Sequence, residues 1–206
     1  PVRGSARRGA DLNWMQRASG YTEAENLADA RKFAGMLQAL STLSKPTIAR
    51  VQGAALGGGT GLAAACDMVV ASEDAQFSTS EVKFGIIPAV ISPYVLRAIG
   101  PRHALRYFQT AEKFRAAEAK AIGLVSEVVA LEQLDAGVAK LVEPLLAGGP
   151  LAQLAAKQLI AAITARPIDA AVTEETATRI SRQRATDEAK EGIAAFLQKR
   201  SPAWMS

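Results

Sequence analysis

A run of glycines and a single carboxylate supply most of what this sequence offers for chemistry. Gly57-Gly58-Gly59 lies between a β-rich segment and a helix-favouring one. With no Cβ in the way, such a turn lets the backbone approach a ligand closely, and the first amides of the following helix have no intrahelical acceptor. Donors aimed outward in this way attract an oxyanion. For a carbonyl whose oxygen gathers charge in the transition state, removing one donor typically costs on the order of a hundred- to thousand-fold in rate. A glycine triplet also serves in plain turns, and this one fits neither the dinucleotide fingerprint nor the Walker pattern. Glu81 stands in Ser78-Thr-Ser-Glu81-Val-Lys83, open either to acid-base work or to a solvated pairing with Lys83. His103 sits in a basic helix start, Arg102-His103-Ala104-Leu105-Arg106, and reads as solvated. Cys66, the only cysteine, reads as a small buried thiol; it excludes an internal disulfide and a thiolate metal cluster within one chain, and fits a reducing compartment.

The elements that must position these residues follow from periodicity. Between residues 23 and 43, Leu27, Ala30, Phe33, Ala34, Leu37 and Leu40 recur at three- and four-residue spacing, which predicts an amphipathic helix ended by Lys45-Pro46. Residues 47–52 read as a short strand, residues 60–66 as a helix and residues 68–71 as another strand. The unit is therefore strand, glycine turn, helix, strand. Residues 74–78 suggest one more strand, residues 94–99 a helix punctuated by Gly100-Pro101, and residues 124–129 a last strand. Residues 132–200 read as helices almost throughout, with Gly148-Gly-Pro150 as a hinge into them.

At 206 residues, with 49% hydrophobic and 21% charged residues, the chain reads as one globular domain with a helical appendage. No stretch reaches the roughly 20 apolar residues that span a bilayer, and residues 1–10 carry arginines but no apolar signal core, so a soluble, cytoplasmic protein is expected. The net charge is +4, of which Arg3, Arg7 and Arg8 against Asp11 place +2 in the first twelve residues. The body of the chain is only weakly basic, which argues against a nucleic-acid face.

The order and spacing of several motifs then point to one family. Lys45-Pro46-Thr-Ile-Ala-Arg-Val-Gln-Gly53-Ala-Ala-Leu-Gly57-Gly-Gly59, Cys66-Asp67, Ala75-Gln-Phe77, Glu81 and Gly85-Ile-Ile-Pro88 resemble the central crotonase (enoyl-CoA hydratase/isomerase) motif. Gly9-Ala10-Asp11-Leu12 resembles that family's first oxyanion motif, and Ala117-Glu118-Ala-Lys-Ala-Ile-Gly123-Leu-Val125 the segment before its last strand. The resemblance runs from about Gly9 to Trp204. It implies an α/β spiral of strand-strand-helix turns over residues 1–147, N-terminally truncated relative to the family. Residues 148–206 would form a C-terminal helical trimerisation region, giving a homotrimer or dimer of trimers.

Carried over by residue, the resemblance implies that the amides of Ala10 and Gly58 hold a thioester oxygen while Glu81 exchanges a proton with substrate carbon. Asp11, Leu12, Gly57 and Pro88 would line the acyl-CoA site, and Phe196 and Lys199 would reach the coenzyme A of a neighbouring subunit. The implied substrate is an acyl-CoA, with no metal or cofactor. Typical hydratases of the family carry a first glutamate twenty positions before the second; this chain has Gly61 there. Gly61, with Asp11-Leu-Asn-Trp-Met15 and Pro88-Ala-Val-Ile-Ser-Pro93, resembles the bacterial methylglutaconyl-CoA hydratases, which implies a hydratase acting in leucine degradation. Ser92 and Tyr94 are candidates to place the water. The rivals are a double-bond isomerase and a non-catalytic, RNA-binding homologue. The family's two strands before Gly9 are absent, and Arg3-Gly-Ser-Ala-Arg-Arg8 in their place is strand-averse and expected to be poorly ordered.

Overall fold

The computed structural model describes residues 16–205, so the expectations for Ala10, Asp11, Leu12 and the arginine-rich start lie outside the described residues. Contacts divide the chain into two units. One comprises residues up to Leu43 together with Thr47–Ala139, the other Ser44–Pro46 together with Lys140–Ser206. This division falls earlier in the chain than residue 147.

The first unit opens with helix α1 (Glu23–Ser41), whose start is fixed by a capping box. The Glu25 amide donates to the Thr22 hydroxyl at 3.3 Å and the Thr22 amide to Glu25 Oε2 at 2.8 Å. Such a pair satisfies two amides that helix geometry leaves open, and loss of an N-cap side chain costs about 1 kcal/mol. The expected inward face forms only in part: Leu37 is fully buried and Phe33 and Leu40 pack against the core, whereas Leu27 and Ala34 are exposed.

Among the described residues six short strands form two three-stranded sheets. In the first, β1 (Ile48–Val51) pairs in parallel with β3 (Met68–Ser72), and β3 with β6 (Glu127–Val129). In the second, β2 (Ala54–Leu56) runs parallel to β4 (Gln76–Ser78), which pairs antiparallel with β5 (Phe114–Arg115). Strands β1 to β4 alternate between the sheets. The order β1-β2-α2, with α2 at Gly58–Ala65, and then β3-β4-α3, with α3 at Ser92–Thr110, is the expected spiral of strand-strand-helix turns.

Strand β2 was not anticipated, because its alanines carry little β propensity. Gly53, at φ 67°, turns the chain out of the first sheet and lets residues 54–56 join the second. The strand expected at residues 47–52 is shorter because Thr47 is held elsewhere: its amide and hydroxyl both donate to Asp67 Oδ2, at 2.8 and 2.9 Å. The last strand is shorter too, since Leu124 and Val125 are buried outside any ladder. Strand β5 was likewise missed; it is fixed by packing, with the Phe114 ring 5.9 Å from Phe77 and 4.2 Å from Tyr107. Truncating a fully buried ring such as Phe77 to alanine costs about 3–5 kcal/mol. Helix α3 breaks at Gly100 (φ 71°), as its Gly-Pro pair predicts. Helix α4 (Ala116–Ala121) precedes β6.

Helix α5 (Leu134–Ala147) leads into the second unit, which continues with α6 (Pro150–Ile163), α7 (Ala170–Arg184) and α8 (Asp187–Leu197). Gly149 works by close approach: a Cβ there would meet Glu188 Oε1 at 2.6 Å. Glu188 uses that room to accept from the Leu151 and Ala152 amides at 2.9 and 2.7 Å, capping a helix whose own N-cap has no side chain. Among the described residues no single helix is long and apolar enough to cross a membrane.

Candidate active site

Helix α2 begins at the middle of the glycine triplet. Gly57, at φ 52°, turns the chain, and its amide donates to the Ser78 carbonyl at 2.7 Å. The amides of Gly58 and Gly59 fall in the first helical turn, where no carbonyl four residues back faces them. A Cβ at Gly58 would lie 3.2 Å from the Phe33 ring, so α1 packs directly on this turn.

Thr60 staples the helix to the second sheet. Its hydroxyl is fully buried, 2.7 Å from the Ala55 carbonyl and 3.0 Å from that of Ser78, and it accepts from the Ser78 amide at 3.3 Å. At the end of β4 the Ser78 hydroxyl donates to the Ala111 carbonyl at 3.2 Å, and just beyond it that of Thr79 donates to the Tyr107 carbonyl at 2.9 Å. These buried bonds tie the segment before Glu81 to the end of α3, and leaving one such acceptor unpaired costs about 1–3 kcal/mol. The sequence reading missed all three residues; hydroxyls set inside the apolar stretch around Phe77 were the available signal.

Glu81 opens a one-turn 3-10 helix (Glu81–Phe84) closed by Gly85 at φ 72°. Its carboxylate lies against the glycine turn: a Cβ at Gly57 would sit 3.2 Å from Glu81 Oε1 and 3.6 Å from Ser80 Oγ. Glu81 Oε2 is buried with no hydrogen-bond partner among the described residues, and no ion pair joins Glu81 to Lys83. Burial pushes its carboxyl above the usual range, against a smaller lowering by its own backbone amide. A solvated pairing with Lys83 is therefore not what forms. A partly desolvated carboxylate beside unsatisfied helix amides can take up and return a proton while a neighbouring oxygen gathers charge.

The remaining candidates separate. Pro88 is buried, whereas Phe84, Ile86 and Ile87 around it are exposed. The Ser92 hydroxyl donates to the Ala89 carbonyl at 2.8 Å, and the Tyr94 ring lies 5.9 Å from the Arg97 guanidinium. His103 is exposed, and Cys66 is half-buried rather than fully buried as expected. Phe196 and Lys199 belong to the second unit. Phe196 is 82% exposed, and Lys199 has φ 54°, beyond the end of α8. Among the described residues no cluster of His, Cys, Asp or Glu is arranged to hold a metal ion.

The profile of the enoyl-CoA hydratase/isomerase family matches residues 7–206. A crotonyl-CoA hydratase of Syntrophomonas wolfei is 37% identical over 199 residues, covering 96% of this chain and 75% of the relative. A 2,3-dehydroadipyl-CoA hydratase of Escherichia coli is 35% identical over 195 residues, covering 94% of this chain and 74% of the relative. The crystal structure of an enoyl-CoA hydratase from Shewanella pealeana superposes with a TM-score of 0.93 at 42% identity, covering 98% of this chain and 76% of that one.

Proposed function

The chain belongs to the enoyl-CoA hydratase/isomerase family of enzymes, and from that premise we propose that it adds water across the double bond of a 2-enoyl-CoA. One observation carries the reading: Glu81 presents a half-buried carboxylate, with one oxygen unpartnered, against the glycine turn that opens α2. Glu81 takes a proton from water as the water oxygen bonds to C3. The π electrons move through C2 to the thioester oxygen, which the Gly58 amide and that of Ala10 hold. Glu81 then returns the proton to C2 as the carbonyl re-forms, so one water is gained and the carboxylate is restored.

The acyl group we favour is methyl-branched and bears a carboxylate, as in 3-methylglutaconyl-CoA. The motif around Gly61 and Pro88 supports this choice, and the Escherichia coli relative is likewise named for a carboxylate-bearing acyl-CoA. The working form is a trimer or dimer of trimers. In the second unit Ile160, Ile168, Phe196 and Leu197 are all more than half exposed, an apolar surface that a second copy would cover. In that assembly Phe196 and Lys199 reach the neighbouring subunit's coenzyme A.

A site with one carboxylate against the glycine turn also suits moving a double bond, since that needs one proton shuttled and no water. Incubating the purified protein with a panel of enoyl-CoA thioesters and resolving products by mass decides between them. Hydration adds one water; isomerisation leaves the mass unchanged and shifts the bond. No turnover of any thioester would overturn both.

A further inference from the structure

Gly61 lies one helical turn beyond Gly57, and its amide donates to the Gly57 carbonyl at 3.1 Å. It is buried, and what buries it is specific. A Cβ built there would fall 2.1 Å from Ile91 Cγ2, 2.6 Å from Ile91 Cβ and 3.6 Å from Ile91 Cα. Rotating the isoleucine would move Cγ2 but not Cβ, whose place is set by the backbone. That backbone is held at the start of α3, where the Ile91 carbonyl accepts from the Tyr94 and Val95 amides at 3.2 and 3.1 Å. Ile91 itself is only 2% exposed, so it has no empty space to yield into.

We infer that Gly61 and Ile91 form a matched pair that specifies the acid-base site: Ile91 fills the volume a side chain at position 61 would need, and so keeps a second carboxylate out. The inference rests on the catalytic reading of Glu81. The helix face that carries Gly57 against the Glu81 carboxylate also carries Gly61, one turn on, under Ile91. Any side chain at 61 would emerge there, and the isoleucine takes its place. Ile91 is thus a positioning residue with an apolar wall as its product, and Glu81 is left to carry both proton transfers.

Melting temperatures and pH profiles of paired variants test this. Alanine within a helix is ordinarily favoured over glycine, so a fall for Gly61→Ala must come from the contact. Gly61→Ala should lower Tm by roughly 3–10 °C. Because truncating the buried isoleucine lowers Tm by itself, the contact is read as a double-mutant cycle: Gly61→Ala should cost less in an Ile91→Ala background than in wild type, and least in an Ile91→Gly background, where the offending Cβ is gone. A Gly61→Ala protein that melts at or above wild type overturns the steric claim.

The functional claim is read from Gly61→Glu/Ile91→Gly against Gly61→Gln/Ile91→Gly. Two carboxylates sharing a site raise each other's pKa. The first protein should therefore lose Tm relative to the second as pH rises from about 5 to 8. Its acidic limb of kcat/KM should also move upward by about one unit or more. Identical Tm-pH curves for the two would place position 61 outside the site and overturn the proposal. The melting arm needs no turnover, so it decides this inference even if the wild-type protein proves inactive on every enoyl-CoA, an outcome that would sink only the proposed reaction. Should the glutamate variant not fold, the difference between the cost of Gly61→Ala in wild type and in the Ile91→Gly background still decides the steric claim.

Discussion

Each unit contains a glutamate whose surroundings push it the opposite way. In the strand-bearing unit Glu81 has one buried oxygen without a partner, and burial raises its carboxyl above the usual range. In the helical unit Glu191 accepts from Arg200 Nη1 and Nη2 at 2.6 and 2.8 Å and from the Ala203 amide at 3.0 Å, and these bonds, the Arg200 pairing foremost, hold it down to about 2. The same side chain is left partly desolvated and short of donors in one unit and is saturated with donors in the other. Apolar residues show a parallel contrast. The first unit buries Leu37, Val70, Phe77, Ile91 and Val95 almost completely, while the second, among its described residues, buries Val172 and Ala195 and leaves Ile168, Phe196 and Leu197 largely exposed. The first unit holds the larger buried core, although Phe84, Ile86 and Ile87 at its surface are exposed as well.

The largest effect should come from removing the ionisable group on the unsatisfied side of this comparison. Glu81→Gln keeps the shape but cannot exchange a proton, so turnover should fall roughly a hundred- to ten-thousand-fold with little change in acyl-CoA binding. Steady-state kinetics together with binding titration check this; a folded variant retaining a tenth of the activity would break the assignment. Gly58→Pro removes the proposed oxyanion donor and should cost on the order of a hundred- to thousand-fold. Because any Cβ at Gly58 meets Phe33, Gly58→Ala is the control that keeps the amide. Equal losses in the two would assign the effect to packing instead.

Titration sharpens the contrast. Since burial raises the Glu81 pKa, the acidic limb of kcat/KM should lie above the ordinary glutamate value, with activity rising as pH rises through it. The stability sign is the reverse: a raised folded pKa contributes stability that is complete below the unfolded value and is lost as pH rises through the folded one. Glu81→Gln should therefore melt at or above wild type at neutral pH, with the advantage disappearing in acid; thermal melts across pH read this.

Smaller effects belong to the second unit. Lys199→Glu should weaken acyl-CoA binding by roughly two- to ten-fold at low ionic strength and less as salt screens the charge. Binding titrations at two salt concentrations check it, and a salt-independent loss would point to misfolding of the turn instead. Glu191→Gln should lower Tm at pH 7 by on the order of a degree or two, since exposed pairs contribute little. Glu191 has a depressed pKa, so its contribution is present above the ordinary glutamate value and is lost as pH falls towards about 2. The gap between the two proteins should close over that range in acid melts.

Much of this organisation could be read along the chain. The period of Leu37 and its neighbours announced α1, Gly100-Pro101 marked the break in α3, and the glycine triplet with Glu81 stood out as the groups able to do chemistry. These are local signals, set by side-chain spacing and by backbone angles that only certain residues adopt. What surrounds Glu81 was decided elsewhere. Thr60, Ser78 and Thr79 act through carbonyls of residues 55, 78, 107 and 111, and Gly61 is confined by Ile91, thirty positions on. Strands β2 and β5 exist because β4 offers each an edge, and neither carries a pattern of its own. The sequence by itself determined which groups could do chemistry. Tertiary structure alone decided that Glu81 is unpaired and partly desolvated and that position 61 has no room for a second carboxylate, because burial, partners and free volume come from residues distant in sequence.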